Sequence, residues 1–369
     1  MERRSFDHRD LFKLALNHVK KDVVDLNSGT DDRHACRSRR SRDDVHIGIL
    51  WGMSTTTWAA TGHLLGLEGL SREQLHMMLD DAERFLPAVE GVVDPEPVLS
   101  GRIVANLFLE NSTRTRISFT VAARRLGADV VDLLGGTSSS SKGESLVDTA
   151  ANIEAMGVDA VVVRCTASGG PKLVADHLHI PVLNAGDGMH EHPTQGLLDL
   201  LTIRQHLGTG DLDGRSIAIV GDIASSRVAR SNVHALTTCG AHVRLVGPPA
   251  LVPEALAEML PDSPGSGSVT VHHDFDEILD DVDAVMMLRI QFERHAEDVI
   301  PADYIERYGL NALRAGRLAT GVPVLHPGPI NRGVELTHDV ADGPRSLILR
   351  QVTNGVAVRM AALAGLLAS

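Results

Sequence analysis

Short apolar runs alternate with longer helix-like stretches along most of the chain. Ile103–Leu109, Val130–Leu134, Ala160–Val163 and Pro181–Leu183 are nearly continuous in apolar residues, and Ile117–Leu126, Ser145–Met156 and Lys172–Leu178 lie between them. Strands without polar alternation are expected to be buried on both faces, as in parallel sheets. The rhythm then repeats. Strands are predicted at Ser216–Val220, His242–Val246, Val269–His272, Ala284–Leu288 and Val322–Leu325, with helices at about Arg227–Thr238, Glu254–Leu260 and Ala302–Tyr308. Ser71 with Gln74 three residues on predicts a capped helix over Arg72–Phe85. The pattern is α/β: about nine strands in some 320 residues divide better into two doubly wound parallel sheets than one. Thr194–Gln205 reads as a helix bridging the halves, and the Ala/Leu-rich run Val352–Leu367 as a helix that packs back on the first half. The expected organisation is a first domain over 53–200, completed by the C-terminal helix 352–369, and a second over 201–351.

The first 52 residues differ. They hold 11 Lys+Arg against 9 Asp+Glu, so of the net charge of −13 the rest of the chain carries −15. Arg33 to Asp44 has almost no apolar content, and Met53 opens a stretch that reads as an ordinary protein start. Residues 1–52 are therefore expected to be a disordered N-terminal extension. With 43% apolar and 22% charged residues the remainder is globular in composition. An acidic chain that is only 3% aromatic lacks the basic groove and stacking platforms of a single-strand nucleic-acid binder. Cys36, Cys165 and Cys239 lie far apart, which argues against a zinc ribbon, a redox dithiol or a disulfide framework. No apolar run reaches the roughly 20 residues that span a bilayer, and no secretory signal is visible. A cytoplasmic protein that binds neither nucleic acid nor membrane is expected.

Glu110-Asn111-Ser112-Thr113-Arg114-Thr115-Arg116 carries the strongest chemical signal. It joins a buried strand to an amphipathic helix, which Ser112 is placed to cap. Unpaired first-turn N–H groups and the positive helix end combine there with three hydroxyls and two guanidiniums. A capped helix with solvated arginines accounts for one Arg, not for the cluster, so the segment reads as an anion site suited to phosphate. There is no Walker loop and no Gly-x-Gly-x-x-Gly, so neither a nucleoside triphosphate nor a dinucleotide is indicated. His190 and His192 form a His-x-His, but no further ligand pattern supports a metal.

Ser112-Thr-Arg-Thr-Arg116 also resembles the phosphate signature of the carbamoyltransferases. Ser141-Lys142-Gly143-Glu144-Ser145 with Asp148-Thr149 resembles that family's mobile active-site loop and the helix after it. His192-Pro193-Thr194-Gln195 with Leu198-Asp199 is similar to its second signature, and His326-Pro327-Gly328-Pro329 to its third. Leu288-Arg289-Ile290-Gln291 with Glu293-Arg294, and Gln351-Val352-Thr353-Asn354-Gly355-Val356, match the aspartate branch. From about Thr61 to Leu367 the chain resembles the catalytic chains of the aspartate carbamoyltransferase family.

That resemblance implies a carbamoyl phosphate domain followed by an aspartate domain. Ser112, Thr113, Arg114, Thr115, Arg164, His192, Gln195, Gly328 and Pro329 would bind carbamoyl phosphate. Arg114, Thr115, Arg164 and His192 would be catalytic, His192 as a donor to the carbonyl oxygen. Gln195 would contact the carbamoyl nitrogen, and the backbone carbonyls near Gly328 and Pro329 would accept from it. Gly328 stands where some relatives carry Leu. Lys142, Arg227, Arg289 and Gln291 would bind aspartate, since an Arg fork suits a carboxylate and two Arg sites suit two carboxylates. For Arg230 and Arg294 ordinary ion pairing is the better reading. Many relatives carry Lys at the position of Ser141.

The implied reaction converts carbamoyl phosphate and L-aspartate to N-carbamoyl-L-aspartate and phosphate, the committed step toward pyrimidines, with no metal and no organic cofactor. The departing phosphate can take the amine proton, its second pKa being about 6. The resemblance also implies a homotrimer in which Ser138 and Lys142 reach the neighbouring subunit's site. Relatives work as free trimers, with regulatory chains or with dihydroorotase-like partners. Two rival readings remain: an ornithine carbamoyltransferase, whose usual Cys-bearing signatures and Asp/Ser-Met-Gly pattern are missing here, and a non-catalytic homologue, against which the intact signatures argue.

Overall fold

The computed structural model describes residues 62–134, 144–258, 267–295 and 299–368. The expected N-terminal extension and the segment with Ser138, Ser141 and Lys142 lie outside the described residues.

Two all-parallel sheets organise the described residues. The first holds β1 (Ile103–Phe108), β2 (Asp129–Leu134), β3 (Ala160–Cys165) and β4 (Val182–Asp187) in the order β2-β1-β3-β4. The second holds β5 (Ser216–Val220), β6 (His242–Val246), β7 (Ser268–His272), β8 (Ala284–Met287) and β9 (Val324–Leu325) in the order β7-β6-β5-β8-β9. β3, β4, β5 and β8 are buried along their whole length, which is why their cores are apolar without polar alternation; β4 runs on past the apolar Val182–Leu183 through the buried Asn184 and Asp187. β2 departs from the expectation of burial on both faces. It is an edge strand with Val131 47% and Leu134 44% exposed. Its Asp132 accepts from Asn106 Nδ2 and Arg116 Nη1, both at 2.8 Å.

The helices are α1 (Arg72–Val89), α2 (Thr113–Arg125), α3 (Leu146–Ala155), α4 (Gly170–Ala175), α5 (Pro193–Leu207), α6 (Arg227–Thr238), α7 (Tyr304–Tyr308), α8 (Ala312–Arg317), α9 (His338–Ala341) and α10 (Ile348–Leu367). α1 opens with the expected capping box: Ser71 Oγ accepts from Gln74 N at 3.2 Å and Gln74 Oε1 from Ser71 N at 2.9 Å. The helix predicted from Glu254 is instead a 3-10 turn over Glu254–Glu258. α8 and α9, of six and four residues, were not predicted, being too short to show a helical period. α10 packs on α1, α2 and α5, while α5 also packs on α6, so these inner helices join the halves. Among the described residues, no helix is long and apolar enough to cross a membrane.

The site elements all start just past the carboxyl ends of parallel strands, the usual ligand position in open α/β sheets. Register aligns them: Phe108 pairs with Arg164, Val220 with Met287, and Met286 with Leu325. The segment entering α5 is pinned by the buried Glu191. Its carboxylate accepts from Leu67 N at 2.9 Å, Glu68 N at 3.2 Å and Ser231 Oγ at 2.7 Å. Glu191→Ala should strand these donors, costing about 3 kcal/mol and several degrees of Tm. Glu191→Gln, which keeps an acceptor, should lose less. Thermal melts followed by circular dichroism check this; equal losses in both variants would contradict it.

Candidate active site

Ser112 occupies the N-cap of α2 in extended conformation (φ −155°, ψ 90°), but its side chain makes no capping bond, contrary to expectation. Ser112 instead lines a cleft of about 960 Å³ with Thr113, Arg114 and Thr115. The same cleft is lined by Arg164, His192, Gln195, Arg227, Arg289, Gln291, Gly328 and Pro329. Every candidate binding residue among the described ones thus faces a single space, drawn from six strand ends and both sheets. Arg294 lines it too, donating to Ser225 O at 3.2 Å. Arg230 does not; it donates to Ala224 O at 3.0 Å.

A carboxylate that the sequence did not single out ties the cleft together. Glu110 Oε1 accepts from Arg164 Nη2 at 2.6 Å and from Arg227 Nη2, and Glu110 Oε2 accepts from Arg227 Nη1 at 3.0 Å. Burial pushes the Glu110 carboxyl up, but hydrogen bonds and charge from Arg227 and Arg164 outweigh it and hold its pKa below the usual value. Arg164 also donates to Ala185 O at 3.1 Å, while its Nε is buried without a partner. Burial lowers its pKa to about 10, with Arg227 adding to the effect, so it stays charged at neutral pH. Arg227 is not a free fork: it holds Glu110 and donates to Gly188 O at 3.2 Å. Arg289 likewise holds Glu293, which sits four residues on in the same loop. Both arginines therefore already grip carboxylates, the group expected of their ligand.

His192 is the N-cap residue of α5, with its backbone N–H on Ser231 Oγ at 2.9 Å and its ring Nδ1 buried without a partner. Burial drives its pKa well below 6.5, reinforced by Arg164, Arg359 and Arg227. The ring is neutral, with one N–H to donate. His190 does not share its site, since its ring pairs with Asp187 at 3.0 Å. Gln195 Nε2 donates to Asp199 Oδ1 at 2.9 Å. Gly328 has φ +67°, and a Cβ there would lie 3.4 Å from Arg114 Nε, so glycine suits the left-handed backbone at this point. Away from the cleft, Glu68, Glu191 and His234 bring one possible metal-ligand atom each within 4.8 Å of one another, but three donors already hold the Glu191 carboxylate.

Residues 62–205 match the family described as aspartate/ornithine carbamoyltransferase, carbamoyl-P binding domain, and residues 213–366 match its Asp/Orn binding domain. The chain belongs to the aspartate/ornithine carbamoyltransferase family. Among relatives, the aspartate carbamoyltransferase catalytic subunit of Opitutus terrae is 51% identical over 303 residues, covering 82% of this chain and 93% of its own. Aspartate transcarbamoylase from Trypanosoma cruzi in complex with carbamoyl phosphate and aspartate superposes with a TM-score of 0.75 at 32% identity, over 82% of this chain and 95% of that one. The catalytic subunit of M. jannaschii aspartate transcarbamoylase gives 0.72 at 34% identity, over 83% and 97%.

In this carbamoyltransferase the cleft also holds Arg359, which the sequence reading passed over. It stands on α10, donates to Ser118 Oγ at 3.0 Å and Gly355 O at 2.9 Å, and lies 5.1 Å from the Phe119 ring centre. A lone cation in the Ala/Leu-rich run Val352–Leu367 was the available signal. Burial lowers its pKa to about 10, still charged at pH 7.

The depressed His192 pKa has a sign. The unfolded chain takes up the proton first as pH falls below about 6.5, so this residue favours folding above that pH and the advantage is lost in acid. In proton NMR, the resonance of the proton on His192 Cε1 should stay flat from pH 8 to 6. A titration midpoint near 6.5 would contradict the neutral-donor geometry.

Proposed function

We propose that the cleft transfers the carbamoyl group of carbamoyl phosphate to the amine of L-aspartate, giving N-carbamoyl-L-aspartate and phosphate. The observation that carries this reading is the charge of the cleft: among the described residues, six arginines against two glutamates, beside a neutral histidine. Carbamoyl phosphate brings about two negative charges, and aspartate brings two carboxylates. With the attacking amine neutral, the two ligands together match the excess of four. The Trypanosoma cruzi relative forms a complex with this pair of ligands.

In this reading the first turn of α2, with Ser112, Thr113, Arg114 and Arg164, holds the phosphate. His192, Thr115 and Arg164 polarise the carbonyl oxygen, a task for positioned donors. Gln195 and the carbonyls of the Gly328–Pro329 turn accept from the carbamoyl NH2. Arg227, Arg289 and Gln291 orient aspartate, whose carboxylates take over guanidinium bonds now made to Glu110 and Glu293. The amine attacks the carbonyl carbon, the C–O bond to phosphate breaks, and the leaving phosphate accepts the amine proton. The rate comes from proximity and charge placement rather than from a covalent intermediate. An ornithine side chain would bring a second ammonium group into the arginine-lined cleft, an unfavourable like-charge contact. The product is a pyrimidine precursor, and we place the reaction in the cytoplasm.

A direct assay of carbamoylaspartate formation tests the reading; transfer to ornithine but not aspartate, or to neither, would overturn it. Arg289→Ala should raise the aspartate KM by tenfold or more and change the carbamoyl phosphate KM far less, because it removes a bidentate carboxylate partner. An unchanged aspartate KM would reassign Arg289.

We further propose a trimer in which Lys142 serves the neighbouring subunit's cleft, while Arg114 and His192 serve their own. Lys142→Ala and Arg114→Ala chains should each be nearly inactive, and should regain part of the activity when dissociated, mixed and reassembled. A closed ring allows this through its heterologous interfaces. Mixed trimers, verified by light scattering, that stay inactive would remove Lys142 from the site.

A further inference from the structure

Asp199 is wholly buried at the junction of three helices, one turn along α5 from Gln195. Its Oδ1 accepts from Gln195 Nε2 at 2.9 Å and from Gln351 Nε2, on α10, at 2.7 Å. Its Oδ2 accepts from Asn232 Nδ2, on α6, at 2.8 Å. An ionised carboxylate only accepts. Each of these amides must therefore turn its NH2 end toward Asp199, and its oxygen elsewhere.

For Gln195, elsewhere is the cleft that it lines. For Gln351, the freed Oε1 accepts from His326 N at 2.9 Å. His326 Nδ1 in turn accepts from Gly328 N at 2.8 Å, and its Nε2 meets Glu335 Oε1 at 3.2 Å. The His326–Pro329 turn, which lines the same cleft, is thereby fixed. One carboxylate oxygen thus sets both groups that face the carbamoyl nitrogen in the reading given above.

We propose that Asp199 is the positioning residue that makes the cleft select a transferable group bearing an NH2, by aiming the Gln195 amide oxygen and, through Gln351, anchoring the His326–Pro329 turn. This rests on the carbamoyl-transfer reading and deepens it. Acetyl phosphate has CH3 where carbamoyl phosphate has NH2, with nearly the same shape. An acceptor locked toward a methyl group is left desolvated and unpaired, and that is how a polar site rejects an isostere. An amide free to rotate could turn away and would discriminate less. Burial raises the Asp199 pKa to about 6, against the lowering effect of its three amide partners, so the carboxylate is ionised at neutral pH.

The test compares the KM for carbamoyl phosphate with the competitive inhibition constant of acetyl phosphate, at pH 7.5 and saturating aspartate. Asp199→Leu, similar in size and without an acceptor, should lower the preference for carbamoyl phosphate by tenfold or more. Asp199→Asn, which keeps one oxygen and presents one NH2, should lose part of it. Circular dichroism melts establish which variants fold, and either one suffices. A preference within twofold of the parent's in a folded variant would overturn the proposal, even if turnover fell, because a purely structural role would weaken both ligands alike. If the parent itself forms no carbamoylaspartate, the carbamoyl-transfer reading fails first; if it does and the preference is insensitive to residue 199, only this inference fails.

Discussion

The cost of gathering positive charge in a half-closed space is the constraint on which this molecule is built. Arg114, Arg164, Arg227, Arg289, Arg294 and Arg359 line one cleft, and several are deeply buried. Removing a guanidinium from water costs several kcal/mol unless a partner restores the lost interactions. Glu110 is that partner for two of them at once, joining Arg164 of the first sheet to Arg227 just past the second. Two glutamates cannot balance six arginines, so a tendency to take up anions is built into the fold.

The topology explains how so many cations converge. Parallel strands all present their carboxyl ends on one side of a sheet, and the next segment begins there. Arg164 is the penultimate residue of β3, the Ser112–Thr115 segment follows β1, His192 follows β4, Arg227 follows β5, Arg289 follows β8, and Gly328 follows β9. Helices α5 and α10 then close the back of the site. They carry the polar contacts that lock its geometry: Gln195, Asp199, Gln351 and Arg359.

The charge pattern also frames the chemistry. A neutral His192 among cations can donate to a developing oxyanion without adding a further charge to be neutralised. The Glu110–Arg227 and Glu293–Arg289 pairs show protein carboxylates in the grip of the arginines proposed to bind substrate carboxylates. Both glutamates remain in the cleft when a ligand enters, so substrate carboxylates add negative charge, which the surplus of arginines can neutralise.

Much of the fold was legible in the sequence because it depends on local pattern. Short, nearly continuous apolar runs marked the first four strands, the repeating strand–helix rhythm marked the other five, and the Ser71–Gln74 box marked the start of α1. The cationic hydroxyl cluster after β1 was visible as an anion site because first-turn N–H groups need no distant partner. What required the tertiary structure was every feature made by residues far apart in the chain. Val131 and Leu134 look like core until the sheet order places β2 at an edge. Ser112 sits where a cap belongs, yet its side chain makes no capping bond and the residue lines the cleft. Glu110 meets Arg227 across 117 residues, Gln351 meets Asp199 across 152, and Arg359 meets Ser118 across 241. Local propensity carries no record of such pairs. They form because buried charges and amides must find partners, and only the packed fold decides which ones are within reach.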